Sequence, residues 1–228
     1  MILDANTLAR KIDVVVLRPE YTAQQVKEIC ARAVEHNFAL VSALSQWLPV
    51  VADCLQGTGV APGAAIGFPL GASTAAKVAE TKQALADGAR EIDMVAQIGA
   101  LVSGDLDFYR RDIEAVVATA QGKAPVKVIV ETCYLSAEQK RQACQQVIAA
   151  GADFIKTSTG FGPAGAQVED VRLFSQLAEG RIQVKASGGI KTLEQVQEFL
   201  TAGANRIGTS AGPQILAQLT AGEANNAD

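Results

Sequence analysis

Three ionisable residues stand inside apolar runs, and their types define a chemistry. Lys156 closes the run Asp153-Phe154-Ile155-Lys156. Lys185 closes the next such run, Gln183-Val184-Lys185. Asp93 lies within Glu91-Ile92-Asp93-Met94-Val95. One lysine at the end of an apolar run has an ordinary explanation, a stem that packs and a head that reaches water. Two on consecutive strands are harder to explain that way. Adjacent parallel strands run ~4.8 Å apart, so lysines at matching heights oppose each other's charge, and burial opposes it further. One amine is then neutral near pH 7 and able to attack a carbonyl, forming an imine. Asp93 reads as an ion-pair partner or as a proton carrier between water, carbinolamine and hydroxyl. A carboxylate placed between both lysines does both. Lys127 and Glu131, flanking the fifth strand, read as supporting charges.

The elements that must position these groups are legible as an alternation. Short Val- and Ile-rich runs at 12–16, 38–41, 64–68, 91–95, 126–130, 154–156, 183–186 and 206–208 predict eight strands. They show no sustained apolar/polar alternation, as expected of strands buried on both faces. Amphipathic helical stretches fall between them at 22–34, 75–87, 108–120, 136–149, 168–178 and 192–202. Thr22 is a plausible N-cap, and Ser136 with Gln139 and Thr192 with Gln195 resemble capping boxes. Gly88-Ala89, Gly151-Ala152 and Gly203-Ala204 each stop a helix with a left-handed glycine and start a strand. Eight strands alternating with helices in 228 residues predict an α/β single domain, a (β/α)8 TIM barrel over 1–220, with 221–228 as a disordered tail. The sequence after the first strand, Leu17-Arg18-Pro19-Glu20, lacks the Gly-rich turn of a dinucleotide fold.

In such a barrel the chemistry sits at the C-terminal strand ends. Two loops there suggest an anion cradle. Ser187-Gly188-Gly189-Ile190-Lys191-Thr192 follows strand seven, and Gly208-Thr209-Ser210 follows strand eight. Glycines let backbone N–H groups approach a phosphate, and a helix start attracts it. Gly160 after strand six completes the cup.

Composition excludes other functions. The net charge of −4, with no basic run, argues against a nucleic-acid or anionic-membrane partner. No apolar stretch approaches the ~20 residues of a membrane span, and residues 1–10 contain no secretory apolar core. Four cysteines without a C-x-x-C spacing suit a reducing cytoplasm. The single histidine, His36, cannot supply a catalytic zinc site and reads as a helix-end residue, so the chemistry is not expected to depend on zinc.

With these residues in place, the chain resembles the deoxyribose-phosphate aldolase family from about residue 8 to residue 212. The most specific segment is G-A-D-F-I-K-T-S-T-G-F-G at 151–162. G-F-P-L-G at 67–71, E-I-D-M-V at 91–95, K-V-I-V-E-T at 127–132, V-K-A-S-G-G-I at 184–190 and R-I-G-T-S at 206–210 agree in order. The resemblance implies a class I aldolase of carbohydrate catabolism, needing neither metal nor organic cofactor, that cleaves 2-deoxyribose 5-phosphate to acetaldehyde and glyceraldehyde 3-phosphate. It implies Lys156 as the imine-forming amine, Lys185 as the charge that lowers its pKa, and Asp93 with a water as the proton carrier. It also implies a phosphate on Gly160, Gly188, Gly189 and Ser210, with Lys191 nearby. A homodimer is the assembly carried as an expectation.

The sequence also departs from the family pattern. The first strand of the family reads I-D-H-T-L-L-K-P, where this chain has Val14 and Val15 in place of His and Thr. The second strand ends V-C-V-N-P there, and here Val41-Ser42-Ala43-Leu44-Ser45. Ala211 replaces a second Ser. The expectation is a pocket made more apolar by Val14, Val15, Ser42, Leu44 and Ala211, as in a diverged or engineered relative, shifted toward apolar or unphosphorylated aldehydes. The competing readings are another Schiff-base lyase or enamine catalyst, and a barrel that binds a phosphorylated metabolite without catalysis.

Overall fold

The structure, a computed structural model, describes residues 4–225. Eight parallel strands close into a barrel in chain order. They are β1 Ile12–Val16, β2 Leu40–Leu44, β3 Ala61–Ile66, β4 Glu91–Val95, β5 Val126–Ile129, β6 Phe154–Lys156, β7 Gln183–Ser187 and β8 Arg206–Gly208. The register pairs Lys156 with Lys185 and Asp93 with Lys127, and β1 pairs β8 through Asp13 and Gly208. All eight strands foretold by the apolar runs are present.

The helices are α1 Ala5–Ala9, α2 Ala23–Glu35, α3 Leu48–Leu55, α4 Thr74–Ala86, α5 Ile98–Val102, α6 Leu106–Ala120, α7 Ala137–Ala149, α8 Val168–Ala178, α9 Leu193–Thr201 and α10 Gly212–Asn225. Thr22, Ser136 and Thr192 cap α2, α7 and α9, each in a full capping box with a Gln three residues on. Gly88, Gly151 and Gly203 carry φ of 99°, 74° and 108°, the left-handed stop that the repeated motif required. His36 is the C-cap of α2, and its ring lies 5.4 Å from that of Phe38. The helix α3 has no counterpart in the sequence reading. Its eight residues begin with Leu48-Pro49, and proline suits the first turn because no N–H is needed there. The helix α10 corrects the expected tail, since it takes in residues 221–225, while 226–228 lie outside the described residues. No helix among the described residues is long and apolar enough to cross a membrane.

Along each strand the side chains alternate between two interiors. Ile12, Val14, Val16, Ile92, Met94, Val126, Val128, Ile155, Val184, Ala186 and Ile207 pack outward into the core shared with the helices. Asp13, Asp93, Lys127, Lys156 and Lys185 meet one another inside the barrel. The strands are therefore buried on both faces, yet β4 and β7 do alternate, with charge inside and hydrocarbon outside. The outer layer supplies the hydrophobic stabilisation, at roughly 25 cal/mol per Å2 of apolar surface removed from water.

Candidate active site

The centre of the barrel holds an ion cluster built from six strands. Asp93 Oδ2 lies 2.7 Å from Lys156 Nζ and 2.7 Å from Lys185 Nζ. Its other oxygen, Oδ1, lies 2.9 Å from Lys127 Nζ. Lys185 also contacts Asp13 Oδ2 at 2.6 Å. Arg206 Nε donates to Asp13 Oδ1 at 2.9 Å, and its Nη2 lies 3.4 Å from Glu91 Oε2. Lys127 pairs with Glu91 as well. Lys156 is 2% exposed, Asp93 1% and Lys185 0%. Charges this deep persist only when each has partners of opposite sign.

Position in this cluster shifts the ionisation of Lys156, Asp93, Asp13 and Lys127. Burial pushes the Lys156 amine down. Asp93 pushes it back up, and Lys185 and then Lys127 lower it, for a result of about 8. Burial alone would raise Asp93, but Lys127, Lys156 and Lys185 together hold it well below the ordinary carboxylate range. Asp13 is likewise lowered, burial being outweighed by Lys185, Arg206 and Lys127. Lys127 moves the other way, its burial outweighed by Asp93, Asp13 and Glu91, so its ammonium is retained. The cluster thus contains a fixed anion, Asp93, beside an amine that is substantially neutral in weakly alkaline solution.

Lys156 opens into a cavity of about 400 Å3 at the C-terminal ends of the strands. The walls bring together every residue assigned to the anion cradle: Gly160, Gly188, Gly189, Lys191, Gly208 and Ser210. Gly160, Gly188 and Gly189 have φ of 86°, 93° and 78°. Among the described residues, the amides of Gly160, Gly188, Gly189 and Ser210 donate to no main-chain carbonyl. Free N–H groups on turns of this hand form a concavity suited to an anion. A side chain on Gly165 would strike the Gly188 carbonyl at 2.2 Å, so the loops after β6 and β7 meet backbone to backbone. Glu131 holds the same region from β5. With φ of 51°, it accepts from the Thr159 amide at 3.1 Å and from the Thr159 hydroxyl.

The residues expected to make the pocket apolar do not form one surface. Val15 lines the cavity. Val14 faces the opposite way, toward Phe38 and Gly212 in the outer core, because successive strand residues alternate sides. Ser42 pairs in register with Val15 and is fully buried, and its hydroxyl has no partner among the described residues. Leu44 ends β2 opposite Ala65 and is not part of the cavity wall. Ala211 packs against the outer core and is not part of the wall either. The apolar character of the cavity comes instead from Val15, Leu17, Phe161 and Ile190.

The sequence reading missed Asp13, Glu91 and Arg206. A signal was available. Asp13 is a carboxylate inside an apolar run, the same anomaly that singled out Asp93. Glu91 stands two residues before Asp93, on the same face of a strand.

The chain matches the DeoC/LacD family aldolase model over residues 4–218. A protein from Clostridium tetani (strain Massachusetts / E88), named deoxyribose-phosphate aldolase, is 50% identical over 206 residues, covering 90% of this chain and 95% of that one. Another of that name from Geobacillus sp. (strain WCH70) is 46% identical over 217 residues, covering 95% and 97%. Among solved structures, the deoxyribose phosphate aldolase from Aeropyrum pernix, described as a unique tetramer, is similar with a TM-score of 0.89 at 30% identity, covering 95% of this chain and 92% of that one.

Proposed function

From the premise that this chain belongs to the DeoC/LacD aldolase family, we propose that it cleaves and forms 2-deoxyribose 5-phosphate through an imine on Lys156. The neutral amine attacks the aldehyde carbon of the open-chain sugar phosphate, and loss of water gives the iminium. The C3 hydroxyl loses its proton, the C2–C3 bond breaks, and its electron pair moves toward the iminium nitrogen. Glyceraldehyde 3-phosphate leaves, and an enamine of acetaldehyde remains on Lys156. Protonation at carbon and hydrolysis release acetaldehyde and restore the amine. Asp93 and a water carry the protons, with Lys185 beside them keeping the amine of Lys156 from staying charged. The glycine loops after β6, β7 and β8 take the phosphate, and Lys191 adds a cation at the rim.

One observation carries this reading: Lys156 Nζ stands 2.7 Å from Asp93 at the floor of a cavity whose walls hold the glycine cradle. Acetaldehyde release from 2-deoxyribose 5-phosphate and from unphosphorylated 2-deoxyribose tests it. The expected result is strong preference for the phosphorylated sugar, with a borohydride-trapped adduct on Lys156 that Lys156→Ala abolishes and Ser158→Ala preserves. Comparable slow cleavage of both sugars would point to the second reading, a shift toward apolar or unphosphorylated acceptors. Val15 and Ile190 favour that second reading, since they put hydrocarbon in the cavity wall. An adduct on another lysine would overturn the assignment itself. Four free cysteines fit a cytoplasmic setting, and the assembly we expect is a homodimer.

A further inference from the structure

The ion pairs inside the barrel close into a ring. Starting at Asp93, it passes to Lys127, Glu91, Arg206, Asp13 and Lys185, and returns to Asp93. Within the ring each member touches two neighbours of opposite sign. Three carboxylates face three cations, so the ring has no net charge. Lys156 hangs outside it, attached at Asp93 Oδ2, the oxygen it shares with Lys185. Its ammonium is therefore a surplus cation in a site 2% exposed. Lys127 and Lys185 each contact two carboxylates, and Lys156 contacts one.

We propose that Glu91 and Arg206 are positioning residues that set the charge of Lys156 through this ring. Neither lines the cavity. They open β4 and β8, at the ends of the strands away from the substrate loops, and are partly exposed there. Their effect reaches Lys156 by charge alone. Loss of the Glu91 charge makes the ring cationic and opposes the Lys156 ammonium. Loss of the Arg206 charge makes the ring anionic and favours it. Loss of both restores neutrality. The charged groups that act on Lys156 directly are Asp93 from β4, Lys127 from β5 and Lys185 from β7; Glu91, Arg206 and Asp13 stand behind them and complete the ring, and the buried Glu131 after β5 accepts from Thr159. Arg18, Glu20 and Lys191 stand at the cavity rim, exposed to solvent and screened by it.

This inference rests on Lys156 as the imine-forming residue. The test is the pH midpoint for borohydride trapping of acetaldehyde on Lys156, located by peptide mass, in Glu91→Gln, Arg206→Gln and the double variant. The expected midpoint falls in Glu91→Gln and rises in Arg206→Gln, each by about half a unit to one unit, and returns near the parent value when both are combined. Glu91→Asp and Arg206→Lys keep the charges and are expected to keep the parent midpoint. Either neutral variant carries the sign test if the other does not accumulate as folded protein. Shifts in the same direction, no shift, or a midpoint that follows packing instead of charge would each overturn the proposal. Absence of a Lys156 adduct in the parent protein would overturn the functional reading, and this inference with it. A normal adduct with unmoved midpoints would overturn this inference alone.

Discussion

Lys156 differs from its barrel neighbours by having one carboxylate where Lys127 and Lys185 have two. That difference, and not the presence of a second lysine alone, distinguishes the amine we propose as the nucleophile. Burial is the largest influence lowering it, and Asp93 opposes that with its charge. The resulting value near 8 has a direct consequence. Imine formation needs the neutral amine, so its rate should increase with pH up to about 8 and level off above it. Single-turnover trapping between pH 6 and 10 checks this. A rate still rising steeply at pH 10 would mean that Lys156 titrates like an ordinary surface lysine.

At the scale of the element, short loops and the glycines in them decide the geometry. Gly208 ends β8 without a left-handed φ, so its role is space. A Cβ there would lie 2.8 Å from Ser187 Cβ and 3.2 Å from Lys185 Cε. Gly208→Ala must therefore displace Ser187 and crowd the Lys185 stem beside Asp93 and Asp13, whereas a cap lies far from any such contact. Steady-state kinetics and denaturant unfolding separate the two effects. Gly208→Ala should lower kcat by tenfold or more, estimated as ~1.4 kcal/mol of transition-state stabilisation lost from a displaced charge. Thr192→Ala removes the N-cap of α9 and should cost ~1 kcal/mol of stability with kcat unchanged. The reverse pattern would mean that Lys185 has room to move.

The whole molecule is a hydrophobic shell around a charged axis, and its pH response follows from that. Asp13 and Asp93 are buried carboxylates with pKa values below their ordinary 3.8. In the unfolded chain they bind protons near that value, while in the fold they resist. Their contribution to stability is complete above the unfolded value and is lost as pH falls through the lower folded values. Denaturant titrations from pH 6 to pH 2 should show stability falling below about pH 4. In Asp93→Asn the slope should be shallower, starting from a less stable protein, because breaking a buried ion cluster costs roughly 3–5 kcal/mol. An equally steep slope in that variant would place the acid sensitivity elsewhere. A further buried pair, Lys77 with Asp112 at 2.6 Å, joins α4 to α6, and Lys77 also donates to the Val95 carbonyl at 2.6 Å. It is tied into the helical layer rather than into the ring.

The sequence by itself determined the eight strands, the caps at Thr22, Ser136 and Thr192, the helix-stop glycines and the family. These depend on neighbours within a few residues, where periodicity, capping chemistry and backbone freedom act. It also placed Lys156, Lys185 and Asp93 together, because a charge inside an apolar strand is anomalous wherever it occurs. It misplaced Val14, Leu44 and Ala211, since which face a side chain takes depends on register and parity, and a list of substitutions carries neither. It gave no sign that Asp13, 193 residues before Arg206 in the chain, accepts that guanidinium. Only barrel closure decided that, by bringing β1 beside β8 and joining the charges of five strands into one ring with Lys156 attached to it. The chain order records which charges exist, and the closed sheet decides which of them touch.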